Sequence, residues 1–593
     1  DYSQSKMSDQ FELKQDLSFI LPGLSVRGLF NTERYSFFDV SRFYNPFYYT
    51  TSNYDRATDT YKLSVLNQLS GTEYLNYTEG VKSINSATYT EVALNYHAAF
   101  AEKHEVSGLI VGTRRNQLFA NQGTLQRSLP YRNQGVSGRL TYGYDVRYIA
   151  EFNFGYNGSE RFYKTKRYGF FPSVGIGWFV SNEAFWANYK KTISKLKLKA
   201  TYGLVGNDAI GSADDRFFYL SEVNMNNDSY GATFGTNYNY RRPGVSINRY
   251  SNADITWETA RKLNLGFEVT VLNNLEIQAE YFTENRENIL MDRSYIPTTM
   301  GLSSGVRANL GKAKAKGVDI SIDYNKSFDN GFWLQGRGNF TYAHSEFVFY
   351  EEPQYSNNEI NLLHKGQSIS KVWGLIAERL FIDDYDVSNS PRQYFGEYLA
   401  GDIKYRDVNG DGQITNLDRV PIVYPTTPEI IYGAGVSFGY KAFDFSFFLQ
   451  GSSLSSSCID PVRTAPFIAN PDLGAGSQNV LLAAYANDHW SEDNRNSYAL
   501  WPRLSNTLNQ NNTQTSTWFM RNGAFLRVKS VELGYQLPKT MISKVRLSNA
   551  RFYLSSTNLF NFSGFKLWDI EMGGNGLGYP IQRVFNVGLT INF

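Results

Sequence analysis

The sequence predicts an all-β chain folded as an antiparallel transmembrane β-barrel. Three observations carry this: an aromatic-rich composition, segments that alternate apolar and polar residues, and connections that alternate between short and long. Among 593 residues, Tyr and Phe number 43 and 42, aromatics reach 16%, and Gly numbers 49 against only 17 Pro. Aromatic and β-branched side chains suit a pleated, half-exposed surface. No run of about 18 apolar residues exists, so no transmembrane helix is expected. A barrel escapes that test, because its strands need only about 9–11 residues and its lumen and loops are polar.

The remaining composition excludes several classes. A net charge of +2 gives no electrostatic case for nucleic acid. Cys458 is the only cysteine, which rules out an internal disulfide. The chain opens at Asp1 without a basic-then-apolar leader. An export signal is therefore expected to have been removed or to lie on a preceding part.

The last segment alternates most strictly. Phe585, Val587, Leu589, Ile591 and Phe593 share one face, while Asn586, Gly588, Thr590 and Asn592 share the other. A terminal aromatic on such a strand resembles the assembly signal of outer-membrane barrels, which makes Phe593 the candidate signal. The same period recurs at Leu263 to Val271, Leu275 to Tyr281, Val318 to Tyr324, Tyr432 to Tyr440, Phe443 to Leu449 and Val92 to Phe100. Carboxylates such as Glu276, Glu280, Asp319 and Asp323 occupy the opposite faces, as expected beside a wet lumen.

The connections supply an independent test. Short links fall near Leu21–Gly23, Ala101–His104, Asp145–Arg147, Leu272–Asn274, Asn325–Gly331 and Lys441–Ala442. Long links span about 32–89, 114–135, 204–259, 285–315, 343–429 and 452–523. Outer-membrane barrels have short periplasmic turns and longer extracellular loops. Counting back from Phe593 puts every long link outside. Two longer periplasmic links, near 180–194 and 536–550, carry Lys and have room for a helical turn. About 17 strands are expected. An odd number does not close a bacterial single-chain barrel, and an open edge is forbidden in lipid. Transporters with a plugged lumen use 22 strands. The chain is therefore expected to begin near the sixth strand, with the first strands and the plug missing.

Several blocks resemble one family. They include SNEAFWANYKKTISKLKLKATYGLVGND, ADITWETARKLNLGFEVTVLNNLEIQAEYF, LGKAKAKGVDISIDY, GDIKYRDVNGDGQITNLDRV, HWSEDN with WPRLS, FLRVKSVELGYQLPK, ARFYLSSTNLFNFSGF and YPIQRVFNVGLTINF. Their order and spacing resemble the C-terminal barrel portion of SusC/RagA-type TonB-linked outer-membrane transporters. The resemblance implies import of oligosaccharides or peptides across the outer membrane of a Gram-negative bacterium. It also implies a SusD-like surface lipoprotein as partner, a dimer of such pairs, and energy from the TonB complex through the missing N-terminal part.

The sharpest local motif runs from Asp407 to Asp418. Oxygen donors Asp407, Asn409 and Asp411 hold positions one, three and five of a calcium loop of EF-hand type. Gly412 takes the sharp-turn position, the Gln413 carbonyl position seven, and Asp418 the place of the usual Glu. The bland alternative is an Asx- and Gly-rich turn without metal. Loop aromatics Trp373, Tyr230, Tyr238, Tyr240, Trp490 and Trp501 are candidates for substrate or partner contact, since ring faces stack on sugars and suit protein interfaces. Their bland reading is packing within the loops. Loops 343–429 and 452–523 are the longest and are expected to meet the lipoprotein.

Catalysis finds little support. His97, His104, His344, His364 and His489 lack metal-ligand spacing. The acid pairs Asp214–Asp215, Glu351–Glu352 and Asp383–Asp384 fall in loops, and GSSLSSSC has no nucleophile elbow. A non-enzyme is expected. The competing reading is an outer-membrane adhesin or structural barrel without transport.

Overall fold

The computed structural model describes residues 1–212, 215–470, 477–542 and 547–592. Phe593 and Asp214 lie outside the described residues. Seventeen strands form one large antiparallel sheet. They are β1 Tyr2–Asp16, β2 Leu24–Phe43, β3 Asn76–Phe100, β4 His104–Ala120, β5 Tyr131–Tyr144 and β6 Tyr148–Ser159. Then come β7 Tyr168–Phe179, β8 Ile193–Asn207, β9 Glu258–Val271, β10 Leu275–Asp292, β11 Arg307–Ser327 and β12 Phe332–Phe349. The set ends with β13 Ile430–Tyr440, β14 Phe443–Ser453, β15 Phe525–Gln536, β16 Asn549–Ser563 and β17 Val584–Asn592.

The strands run well past the alternating segments. The link expected over 32–89 shrinks to 44–75, because β2 and β3 stay paired from Leu24↔Tyr96 to Phe43↔Asn76. The link expected over 285–315 shrinks likewise to 293–306. Backbone hydrogen bonding continues where side chains turn polar, so the apolar signal stops before the ladder does. The short turns lie where periodicity put them. Ala101–Glu102, Asp145–Val146 and Leu272–Asn273 each place two successive residues at positive φ. That is the mirror-image turn geometry that matches strand twist. Both longer links hold helical turns, Val180–Asn182 with Ala184–Trp186, and Lys539–Ile542.

Two compact units divide the chain. The first comprises Asp1–Asp145, Glu151–Ser173 and Gly206–Trp257. In it β1 to β5 pair in chain order. Its loops form their own hairpins, Tyr49–Asp55 with Thr60–Val65 and Glu222–Phe234 with Tyr240–Arg249.

The second unit holds Val146–Ala150, Val174–Val205 and Glu258–Phe593. Its strands β9 to β17 also pair in chain order. A lateral row of apolar side chains crosses five of them: Val587, Leu554, Leu533, Phe445 and Phe438 are successive cross-strand neighbours. Val587 is 68% exposed, Leu554 47% and Leu533 48%. The other face is charged. Arg551 bridges Asp444 and Glu532, and Lys195, Lys197 and Lys199 converge on Glu268. On that polar face Tyr553 lies over its register partner Gly588, and Trp333 over Gly439. A Cβ on either glycine would enter the ring above it.

Candidate functional site

The only large apolar core among the described residues lies in the second unit's loops, not its strands. Leu375, Leu380, Ile403, Tyr405, Tyr485, Trp490, Trp501 and Phe519 are all buried there. Short pairings knit the longest loop, 350–429, and a bridge ties it to the loop 454–524. Val372–Gly374 pairs Val420–Ile422, Ala377–Leu380 pairs Ile403–Tyr405, and Arg392–Gln393 runs parallel to Gln413–Ile414. Leu375 bridges to Ser516, which joins one loop to the other.

A buried amide network completes the join. The Gln393 amide donates to the Ile403 carbonyl at 2.9 Å and to Asn511 Oδ1 at 2.8 Å, and Gln393 Oε1 accepts from Tyr405 N at 2.7 Å. The Tyr405 hydroxyl donates to the Asn511 carbonyl at 2.7 Å. Burial pushes the pKa of that phenol well above its ordinary value, so it stays a donor. Asp402, fully buried, accepts from Leu399 N, Asn509, Asn512 and Arg503. Four donors, one of them cationic, offset the desolvation of this carboxylate. Close by, Arg379 holds the Asp386 carboxyl well below the usual carboxylate range, helped by the Ile382 amide and by Lys404.

This hydrogen-bonded floor carries an open cleft of about 790 Å³. Its rim has Arg392, Tyr394, Glu397, Tyr398 and Gln510. Arg392 lies over the Tyr394 ring at 5.1 Å, and Tyr394 is 52% exposed. Gly396 faces Gln510 so closely that a Cβ there would press on its side chain at 3.2 Å. Cations, a carboxylate, amides, hydroxyls and an exposed ring thus converge on one concavity. Such a surface hydrogen-bonds and stacks.

The expected contact residues separate into two groups. Trp490 and Trp501 are 2% and 6% exposed and belong to the loop core. Trp501 stacks on Tyr485 at 4.2 Å, and Gly401, at φ +82°, leaves the room that the Trp490 ring fills. Their ring faces are covered, so the contact role expected for them gives way to packing within the loops. Trp373 closes a stack with His364 and Tyr350 at 4.2 and 4.5 Å, and His364 meets Glu352 at 3.1 Å. Tyr230, Tyr238 and Tyr240 are 61%, 79% and 51% exposed on the first unit's hairpin. They stay open to a partner.

In the Asp-rich loop the side chains first serve the backbone. Asp407 accepts from Gly410 N and Gly412 N, Asn409 from Asp411 N, and Asp411 from Gln413 N. Asp418 is fully buried and accepts from Val408 N and Thr415 N at 2.8 Å each. It clamps the loop's two ends, so the ligand role expected for it does not fit. Asp407, Asn409, Asp411 and the Gln413 carbonyl remain as oxygen donors. Among the described residues no group of three or more His, Cys, Asp or Glu is arranged to hold a metal.

Sequence reasoning missed Gln393, Asp402, Asn509, Asn511 and Asn512. The amide-dense run Asn509-Gln510-Asn511-Asn512 was the one available signal.

No family model matches the chain. The TonB-dependent receptor P3 of Formosa agariphila is 26% identical over 486 residues, covering 77% of this chain and 45% of that receptor. The TonB-dependent receptor SusC of Bacteroides thetaiotaomicron is 26% identical over 486 residues, covering 79% of this chain and 44% of SusC. The chain thus spans about half the length of the curated relatives it matches. Among solved structures, the RagAB peptide transporter superposes with a TM-score of 0.69 at 18% identity, covering 100% of this chain and 62% of that one. Seventeen antiparallel strands, exposed apolar rows and these likenesses agree: the chain is a relative, in sequence and fold, of the SusC-type TonB-dependent receptors, and its strands form part of the same kind of β-barrel wall.

Proposed function

We propose that the chain is the wall and loop portion of an outer-membrane importer for oligosaccharides or peptides, driven through TonB and working with a SusD-like lipoprotein. One observation carries it. The strands expose continuous apolar rows on one face and gather ion pairs on the other, which is the pattern of a wall between lipid and an aqueous lumen. The names of its relatives support TonB-driven import. The cleft beside Tyr394 is the proposed substrate contact, because its floor is pre-ordered while its rim is open. The joined loops 350–429 and 454–524 are the proposed seat of the lipoprotein, with the tyrosines of the 222–249 hairpin as a further contact. A calcium ion on Asp407, Asn409, Asp411 and the Gln413 carbonyl is the proposed loop ligand, at the weak affinity of extracellular sites.

Deleting the gene in a strain without a paralogue should abolish uptake of the cognate oligosaccharide or peptide. Unchanged uptake would refute the importer and favour an adhesin. Affinity purification from outer membranes should recover a lipoprotein in equal amount.

A further inference from the structure

A small cavity of about 90 Å³ in the first unit is lined by four arginines, Arg114, Arg115, Arg132 and Arg167, against one carboxylate, Glu160. Arg132 pairs with Glu160 at 3.6 Å, and Arg115 donates to Gln117 at 3.0 Å. Arg114 has no ion-pair partner among the described residues, and Arg167 Nε is buried without a hydrogen-bond partner. Glu160 is thus the one carboxylate set against these four guanidinium groups.

Register puts two of the arginines on one face, while Arg115, opposite Asn133, takes the other. Arg114 stands opposite Gln134, and Asn116 opposite Arg132. Period two puts Arg114, Arg132 and Gln134 on the face that carries Ile110, Val136 and Leu140, which are 53%, 44% and 54% exposed. Gln134 donates to the Tyr168 hydroxyl, and Tyr168 stacks on Tyr156 at 5.2 Å. Arg114 and Arg132 therefore sit at the end of the apolar face, about 7 and about 13 Å beyond Val136 along the strand. A pair of tyrosines stands beside them, as rings do at a membrane–water boundary.

We infer that this cluster binds the phosphate of a lipid headgroup, with the acyl chains lying along Ile110, Val136 and Leu140. Guanidinium forks match phosphate oxygens bidentately. Continuity of the charged site with an exposed apolar face favours a lipid over a soluble anion. The inference rests on the membrane reading of the strands and is independent of transport.

Native mass spectrometry of the full-length protein in detergent tests it, with dioleoyl phosphatidic acid, dioleoylglycerol and inorganic phosphate as probes. Phosphatidic acid should form adducts and dioleoylglycerol few. Replacing Arg114→Ala with Arg132→Ala should weaken the adduct about 25-fold, about fivefold for each arginine. The pair Arg114→Lys and Arg132→Lys should keep much of it, and heat-modifiable gel mobility checks that every variant is folded. Full adduct formation by the alanine variant overturns the site. Displacement of lipid by millimolar inorganic phosphate overturns the lipid assignment. Equal adducts from both lipids also overturn it, by removing the phosphate from recognition. A protein that forms the phosphatidic acid adduct yet fails in uptake supports this site while refuting import.

Discussion

The strands and the loops of the second unit place their apolar residues in opposite ways. Val587 and Leu554 on the strands are exposed, while Trp490 and Leu375 in the loops are buried. Each region follows its solvent. The loops stand in water and must cover their apolar groups with one another. The strands need no such cover where lipid supplies it, and they put their polar groups on the other face. Burial alone therefore mistakes the wall for a badly packed soluble protein.

Trp490→Ala should break the loop half of this contrast most strongly. It should cost about 3–5 kcal/mol of loop stability, because the ring is fully enclosed. Limited proteolysis should cut the loops earlier while the wall keeps its heat-modifiable mobility. Loss of both together would mean the loops and wall share one cooperative unit. Val587→Arg tests the other half. Removing apolar contact with lipid should cost about 2–4 kcal/mol near mid-membrane, whereas Asn586→Arg on the opposite face should cost far less. Urea unfolding in lipid vesicles reads the difference, and equal costs would deny the lipid-facing assignment.

Asp386→Asn should be milder, about 1–3 kcal/mol, since it removes charge-assisted bonds to Arg379 and Lys404. The sign with pH follows from the lowered folded value. The native carboxylate's stabilisation is fully present above the unfolded value of about 3.9 and is lost as pH falls through the lower folded one. Loop melting of the native chain should thus fall between about pH 4 and pH 2 more steeply than that of the asparagine variant. Parallel pH curves would sink this assignment. Calcium should raise loop stability by about 1.4 kcal/mol if 10 mM is supplied to a millimolar site. Calorimetry with Asp407→Ala as control checks it, and an equal rise in both would mean no site at the loop. Tyr394→Ala should leave stability unchanged and weaken substrate binding about threefold to tenfold, as loss of one stacking ring would.

Much of the wall was legible because lipid imposes period two on every strand it touches. Strand centres such as Leu263 to Val271 therefore stood out, and so did the tight turns between them. The strand ends did not. Asn76 to Ser86 of β3 is polar and solvated, yet remains paired to β2 by backbone bonds that leave no mark in side-chain pattern. The loop core was hidden for a different reason. Trp490 shows its ring in the sequence but not its enclosure, which depends on a glycine far away at position 401. Asn511 reads as a turn residue, and only the fold turns its amide inward to the Ile403 carbonyl.

The glycine seats under Tyr553 and Trp333 bear on how such a sheet finds its alignment. Sliding one strand by a single residue would drive each ring into a side chain and turn the apolar row toward water. Each ring and its gap act as a key and a lock between adjacent strands. A mispaired hairpin is thereby penalised locally, before the rest of the sheet has joined, and the wall proofreads its own assembly one neighbour at a time.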